Sequence, residues 1–222
     1  MQGRNLSRRD LSGANLSGKD LSGRDLSVWD LSWANLSGTD FSGTDLSDAS
    51  LFRANLSEAN LDRANLSGAH LFRAHLFRAQ LSWAILIRAI LVRVNFSEAN
   101  LNKANLSGAD LFRADLFEAN FAGANLSDAN LSGVNLTDTI GNGREIKSIR
   151  LERWNVVWTH EVLQIGCECH SIAEWWGFTQ EQIAALHPDA ADWWARYKAP
   201  LRSIIEAGGT EVGRQNTDNT HG

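Results

Sequence analysis

The chain has 222 residues, a net charge of −5 and two cysteines. That length holds one extended domain and one small one. The near-balanced charge excludes partner choice by a bulk acidic or basic field, and two cysteines exclude a disulfide framework. No apolar run reaches the ~20 residues of a membrane helix, so no membrane association is expected. The opening MQGRNLSRRD has no apolar signal-peptide core, and a cytoplasmic protein is the expectation.

From Leu6 to Leu136 the chain repeats every five residues, 27 times without an insertion. The central residue is Leu except at Phe41, Phe96 and Phe121. The residue two before it is Ala in 18 repeats, and the residue just before it is Asn or Asp in 21. So strict a register is incompatible with a helix stripe, which returns at 3 and 4, and with a plain strand, which returns at 2. A segment whose centre and second-preceding residue share one side must turn once per repeat. The Ser-Gly and polar pairs after each centre suit that turn. The result is a coil with Leu and Ala inside, stacked at the usual ~4.8 Å strand spacing.

The inward position of the first coils holds Arg4, Arg9, Lys19, Arg24 and Trp29. A sealed charge would cost several kcal/mol, so this end is expected to be open. It is a frayed or self-capped end, or else an N-terminal docking end or a homodimer contact. From Ala34 to Val134 the inward position is Ala, Thr or Val throughout, which marks the core of the rod.

The exterior sets the coil length. Leu-Phe-Arg recurs at Leu51, Leu71 and Leu111, with Leu-Val-Arg at Leu91, so the decoration has a period of 20 residues or four repeats. The unit Ala-(Asp/Asn)-Leu-x-x, as in Ala59-Asn60-Leu61-Asp62-Arg63, resembles the pentapeptide-repeat family. The resemblance implies an all-β solenoid, a right-handed quadrilateral β-helix. Four repeats per coil give about seven coils. Family members with a role include topoisomerase-protecting DNA mimics, developmental interaction proteins and secreted effectors.

Residues 70–95 depart from the pattern. The outward position before the centre becomes His70, His75, Gln80, Ile85 and Ile90, and Phe72, Phe77, Trp83, Ile87 and Val92 follow the centres. Contiguous apolar groups on an outer surface are informative. Phe52, Phe72, Val92 and Phe112 form one column and Arg53, Arg73, Arg93 and Arg113 the next. With His70 and Ile90 they are the candidate partner-binding residues. Four stacked arginines need compensation, from an anionic partner, from Glu58, Glu98 and Glu118 around the corner, or from Arg lying over Phe. The two histidines have no nucleophile or carboxylate cluster in register, so they read as exposed replacements for Asn.

After residue 138 the register ends, and residues 139–145 read as a linking turn. Residues 146–207 read as a small α+β domain that caps the rod, with residues 208–222 as a disordered tail. Trp154–Thr159 is β-rich. Leu163, Ile165, Cys167 and Cys169 alternate with polar residues as one strand, which would make the cysteines core residues. The two runs suit a hairpin. Ser171-Ile172-Ala173-Glu174 and the stretch from Thr179 to Gln182 are capping boxes that open helices. Pro188 suits a first helical position, and Pro200 should kink or restart the last helix. Ile165-Gly166-Cys167 with His170 and Trp175 resembles a small C-terminal module of bacterial and phage proteins. Cys-x-Cys is too tight for the usual zinc spacing, and no metal, cofactor or catalytic residue is expected.

The functional expectation is a non-enzymatic protein-protein interaction or scaffold protein, with an unidentified protein as partner and no direct nucleic-acid binding. The alternative is a DNA mimic that binds and inhibits or protects a type II topoisomerase, DNA gyrase. The Asp-rich second coil (Asp25, Asp30, Asp40, Asp45) favours it, and the near-neutral charge of the repeat region opposes it.

Overall fold

The computed structural model describes residues 9–152 and 154–209. The chain divides into two compact units, one of residues 1–159 with 164–169, the other of residues 160–163 with 170–222.

The first unit is built on a β-solenoid. The residue before each centre pairs in parallel with the residue 20 positions on, from Asp10↔Asp30 to Asn120↔Ile140. Each coil therefore contains four pentapeptides, as the period of the exterior predicts. The centre donates its N–H to the coil above, as in Leu56 N–H to His75 O at 2.7 Å. Its own carbonyl closes the turn by accepting from the residue three on, as in Ala59 N–H to Leu56 O at 3.0 Å. The Leu, Phe and Ala at the two inward positions from Leu31 to Phe121 are almost wholly buried, so these positions make a continuous column of apolar side chains. Burying one Leu there is worth roughly 1.5–3 kcal/mol before entropy.

Three local devices explain the rest of the repeat. The second residue after each centre has a positive φ, from Gly13 at 68° to Asp138 at 56°, which is why Gly recurs there. The Asn or Asp before the centre folds its Oδ1 onto the N–H two residues on, as in Ser57 N–H to Asn55 Oδ1 at 3.1 Å. It also reaches the neighbouring coil, as in Asn60 Nδ2 to Asp40 Oδ1 at 3.0 Å. Finally, Thr39 and Thr44 replace inward Ala without penalty because their buried hydroxyls donate to the Leu16 and Leu21 carbonyls at 2.9 and 2.8 Å.

The first described coil is open as expected. Arg9, Lys19 and Arg24 are exposed, and Leu11, Leu16 and Leu21 are only half-buried. Arg4 and Leu6 lie outside the described residues.

The other end of the ladder is closed by side chains. Gln164, only 2% exposed, accepts from the Leu136 N–H at 2.8 Å. Asn142 Nδ2 donates to the Ala124 carbonyl at 3.1 Å. These groups take the places that a further coil would fill.

The strands beyond the repeats are β1 (Lys147–Leu151), β2 (Trp154–Trp158), β3 (Val162–Ile165) and β4 (Glu168–Ser171), in the sheet order β1-β2-β3-β4. β1 and β2 are antiparallel, with Ile149 opposite Val156. The expected single strand through Cys169 is instead broken. Gly166, at φ 60°, and Cys167 form a two-residue turn between β3 and β4. The break displaces both cysteines from the apolar face, and Cys167 and Cys169 are exposed and unpaired in disulfides rather than core residues. β1 was not anticipated from the sequence.

In the second unit, α1 (Ile172–Gly177) and α2 (Gln180–Leu186) open on complete capping boxes at Ser171 with Glu174 and at Thr179 with Gln182. α3 (Ala190–Gly209) begins two residues after Pro188 and runs through Pro200 without a restart. It also takes in residues 208 and 209, assigned above to the tail, and residues 210–222 lie outside the described ones. Trp175, Phe178, Trp194 and His170 pack as an aromatic cluster with ring centroids about 5 Å apart.

Candidate functional site

The candidate residues lie along one edge of the solenoid and the strip beside it. Phe52, Phe72, Val92 and Phe112 are first in their turns, and Arg53, Arg73, Arg93 and Arg113 second. The columns therefore run along a corner and not across a flat wall, because the turn occupies the two positions after each centre. His70 and Ile90 sit in the bridging position that precedes this corner.

The rings form a ladder. Phe52 and Phe72 stack with centroids 5.8 Å apart and an interplanar angle of 3°. Trp33, 57% exposed, meets Phe52 edge to face at 5.6 Å. Sequence reasoning missed Trp33, although it stands 20 residues before Arg53 in the same column and was findable by that offset.

The compensation of the arginines is now visible. Arg53 lies 4.7 Å from the centre of the Trp33 ring, Arg73 5.3 Å from Phe72 and Arg113 5.0 Å from Phe112. Each such contact is worth about 0.5–1 kcal/mol at an exposed site. The glutamates around the corner serve a different cation. Arg78 stands between Glu58 and Glu98 in their own column and pairs with Glu98 at 2.6 Å. That hydrogen bond, with the nearby glutamate charges, raises its pKa. Among the described residues, no carboxylate is paired with the guanidinium of Arg53, Arg73, Arg93 or Arg113.

His70 and His75 are exposed. Together with Gln80, Ile85 and Ile90 they replace Asn/Asp over five consecutive repeats, of which Gln80 still accepts from Asn100 Nδ2 at 3.1 Å. Among the described residues, the N–H groups of Phe72, Phe77, Ile87 and Val92 lack the side-chain acceptor that Asn or Asp supplies elsewhere. The same section exposes Trp83, Ile85 and Ile90 by 54%, 39% and 36%. Lys103 covers part of it, with Nζ 4.5 Å from the centre of the Trp83 ring.

Among the described residues, no group of three or more His, Cys, Asp or Glu side chains is arranged to hold a metal ion. Likewise, no described helix is long and apolar enough to cross a membrane.

A solenoid with this register and these turns defines a class of β-helical repeat proteins. The profile for pentapeptide repeats matches in 8 copies over residues 30–68, 74–116 and 114–140, and the chain belongs to the pentapeptide-repeat family. Among solved structures, it is similar to HetL, a protein of Nostoc sp. strain PCC 7120 involved in heterocyst differentiation regulation. The two are 34% identical over 60% of this chain and 72% of HetL, with a TM-score of 0.36. Rfr23 of Cyanothece 51142 is 28% identical over 60% of this chain and 92% of its own, with a TM-score of 0.42. A trypsin-treated variant of QnrB1, a plasmid-mediated fluoroquinolone resistance protein, is 22% identical over 59% of this chain and 68% of its own. Its TM-score of 0.51 marks a shared fold. No functionally curated protein matches the chain.

Proposed function

We propose that this chain is a non-enzymatic interaction protein that binds a protein partner along the edge of Phe52, Arg53, Phe72, Arg73, Val92, Arg93, Phe112 and Arg113 and the adjoining strip of His70 and Ile90. One observation carries the reading. Where Asn/Asp is abandoned for five consecutive repeats, two of the replacements are the exposed isoleucines Ile85 and Ile90, with exposed Trp83 beside them. Each missing hydrogen bond forfeits about 0.5–1.5 kcal/mol, and exposed Ile and Trp gain nothing from water. A surface that costs stability without improving the core is explained by a partner that covers it.

The test is affinity capture from cells that naturally make the protein, with the wild-type chain and Ile90→Asn as baits. A protein retained by the wild type and lost by the variant, whose thermal stability is no lower, supports the reading. Identical capture profiles defeat it.

A second reading is favoured by the N-terminal coils. Asp20 and Asp40, and Asp25 and Asp45, occupy successive coils of two columns. Hydrogen bonds from Ser22 and Ser27 hold the carboxyls of Asp20 and Asp25 below the ordinary aspartate value. This is an ionised acidic surface of the kind a DNA mimic would present to DNA gyrase. Arg9, Lys19 and Arg24 interleave with it, which weakens the field and ranks this reading second. A supercoiling assay with and without a quinolone decides it, because a DNA mimic should act at micromolar concentration and lose effect steeply with salt.

A further inference from the structure

We infer that the partner segment seated on the Phe/Arg edge is an acidic amphipathic α-helix lying along the solenoid axis. This inference rests on the reading of that edge as an interaction surface and specifies what the surface selects.

The first argument is charge. Arg53, Arg73, Arg93 and Arg113 occupy four successive coils, and no acidic residue interrupts their column between Trp33 and Gly133. Three of the guanidinium groups lie near aromatic rings. A ring contact does not consume N–H donors, and with no carboxylate paired to these groups among the described residues, their N–H forks are available for bidentate bonds to a carboxylate. The neighbouring column of Phe52, Phe72, Val92 and Phe112 asks for apolar side chains beside those carboxylates. The required ligand therefore has one apolar stripe and one acidic stripe.

The second argument is register. Coils recur every ~4.8 Å, so four of them span about 14 Å. A helix presents one side chain per turn on a given face, every ~5.4 Å, and three turns span about 16 Å. An extended strand repeats on one face every ~6.7 Å, and three repeats span about 20 Å. The helix drifts by ~2 Å over the four arginines, within the reach of Arg and Glu side chains. The strand drifts by ~6 Å, more than one whole coil, and so cannot keep one carboxylate per arginine. A nucleic acid would satisfy the guanidinium groups but offers no apolar stripe for the Phe column.

The test uses fluorescence anisotropy with the full chain and three labelled probes. One is an alanine-based helical peptide of about 16 residues, roughly 24 Å long, with Leu on one stripe and Glu on the next. The second carries Lys in place of every Glu, and the third is a single-stranded oligonucleotide. The Glu peptide is expected to bind, and the Lys peptide and the oligonucleotide are not. Arg73→Glu with Arg93→Glu should weaken the Glu peptide by about tenfold or more, the scale of one lost charge-assisted bond, and should confer binding of the Lys peptide. Arg73→Gln with Arg93→Gln supplies the same loss without new charge if the reversal variant melts early.

Equal binding of both peptides, preference for the oligonucleotide, or indifference to the arginine variants would overturn the inference. If Ile90→Asn still abolishes capture of the natural partner in that case, the interaction surface stands and only its acidic-helix ligand is refuted. If neither experiment depends on the edge, both fall.

Discussion

The Gln164 side-chain carbonyl accepts a hydrogen bond from the Leu136 backbone N–H at 2.8 Å, a bond that the next coil supplies to the centres from Leu11 to Phe121. A stacked solenoid always ends in such orphaned donors and acceptors. Here a single buried amide, 28 residues further along the chain, answers one of them.

Gln164→Leu should therefore destabilise the end of the solenoid by about 1–3 kcal/mol, the cost of a buried donor left unpaired. Chemical denaturation measures the loss. Hydrogen exchange should place it in the last coils, with Leu136 among the amides that lose protection.

Two glycines of the turn after the repeats should differ sharply. A Cβ on Gly141 would lie 2.2 Å from the Ile146 carbonyl oxygen, a backbone atom that cannot step aside, whereas a Cβ on Gly143 meets nothing and faces only a φ of 78°. Gly143→Ala is expected to cost about 1–2 kcal/mol. Gly141→Ala should cost clearly more, and equal melting temperatures would contradict the assigned packing.

Ile85→Asn and Ile90→Asn should raise thermal stability, or at least preserve it, because each restores an acceptor for the N–H two residues on. The gain is about 0.5–1.5 kcal/mol per bond. The pair should also lose partner binding. A variant that melts higher yet binds less separates a functional surface from a structural one, and calorimetry beside the capture experiment reads both.

Acid should weaken the N-terminal coils. Hydroxyl and backbone hydrogen bonds from Ser22 and Ser27 depress the pKa of Asp20 and Asp25 below the ordinary value of 3.8. A carboxyl with a depressed folded-state pKa contributes stability that is complete above its unfolded value and lost as pH falls through the folded one. The melting temperature should thus decline below about pH 4. In Ser22→Ala with Ser27→Ala the decline should be shallower, which a melting series from about pH 6 to about pH 2 would register.

Much of the solenoid was legible because its information is local and repeated. Inward Leu and Ala, an Asx residue before each centre and a turn after it are read from five residues at a time, and the period of 20 set which residues align between coils. The same arithmetic aligned Phe52 with Phe72 and Arg53 with Arg73, and it would have found Trp33 had it been carried one coil further back. The C-terminal strands were less legible. Alternation through Leu163, Ile165, Cys167 and Cys169 looked like one strand, and only the turn at Gly166 shows that the cysteines leave the apolar face.

The sequence alone determined the family, the coil period and the columns of the edge, because a stacked repeat converts a sequence offset directly into a spatial neighbour. Tertiary structure decided what those columns do with their charge. Three arginines take up aromatic faces in the edge, and Arg78 takes Glu98 in the next column. It also decided how the ladder ends, through Gln164 and Asn142. Side-chain direction at a turn and contacts across 28 residues have no periodic signature, so neither could be read from the order of residues.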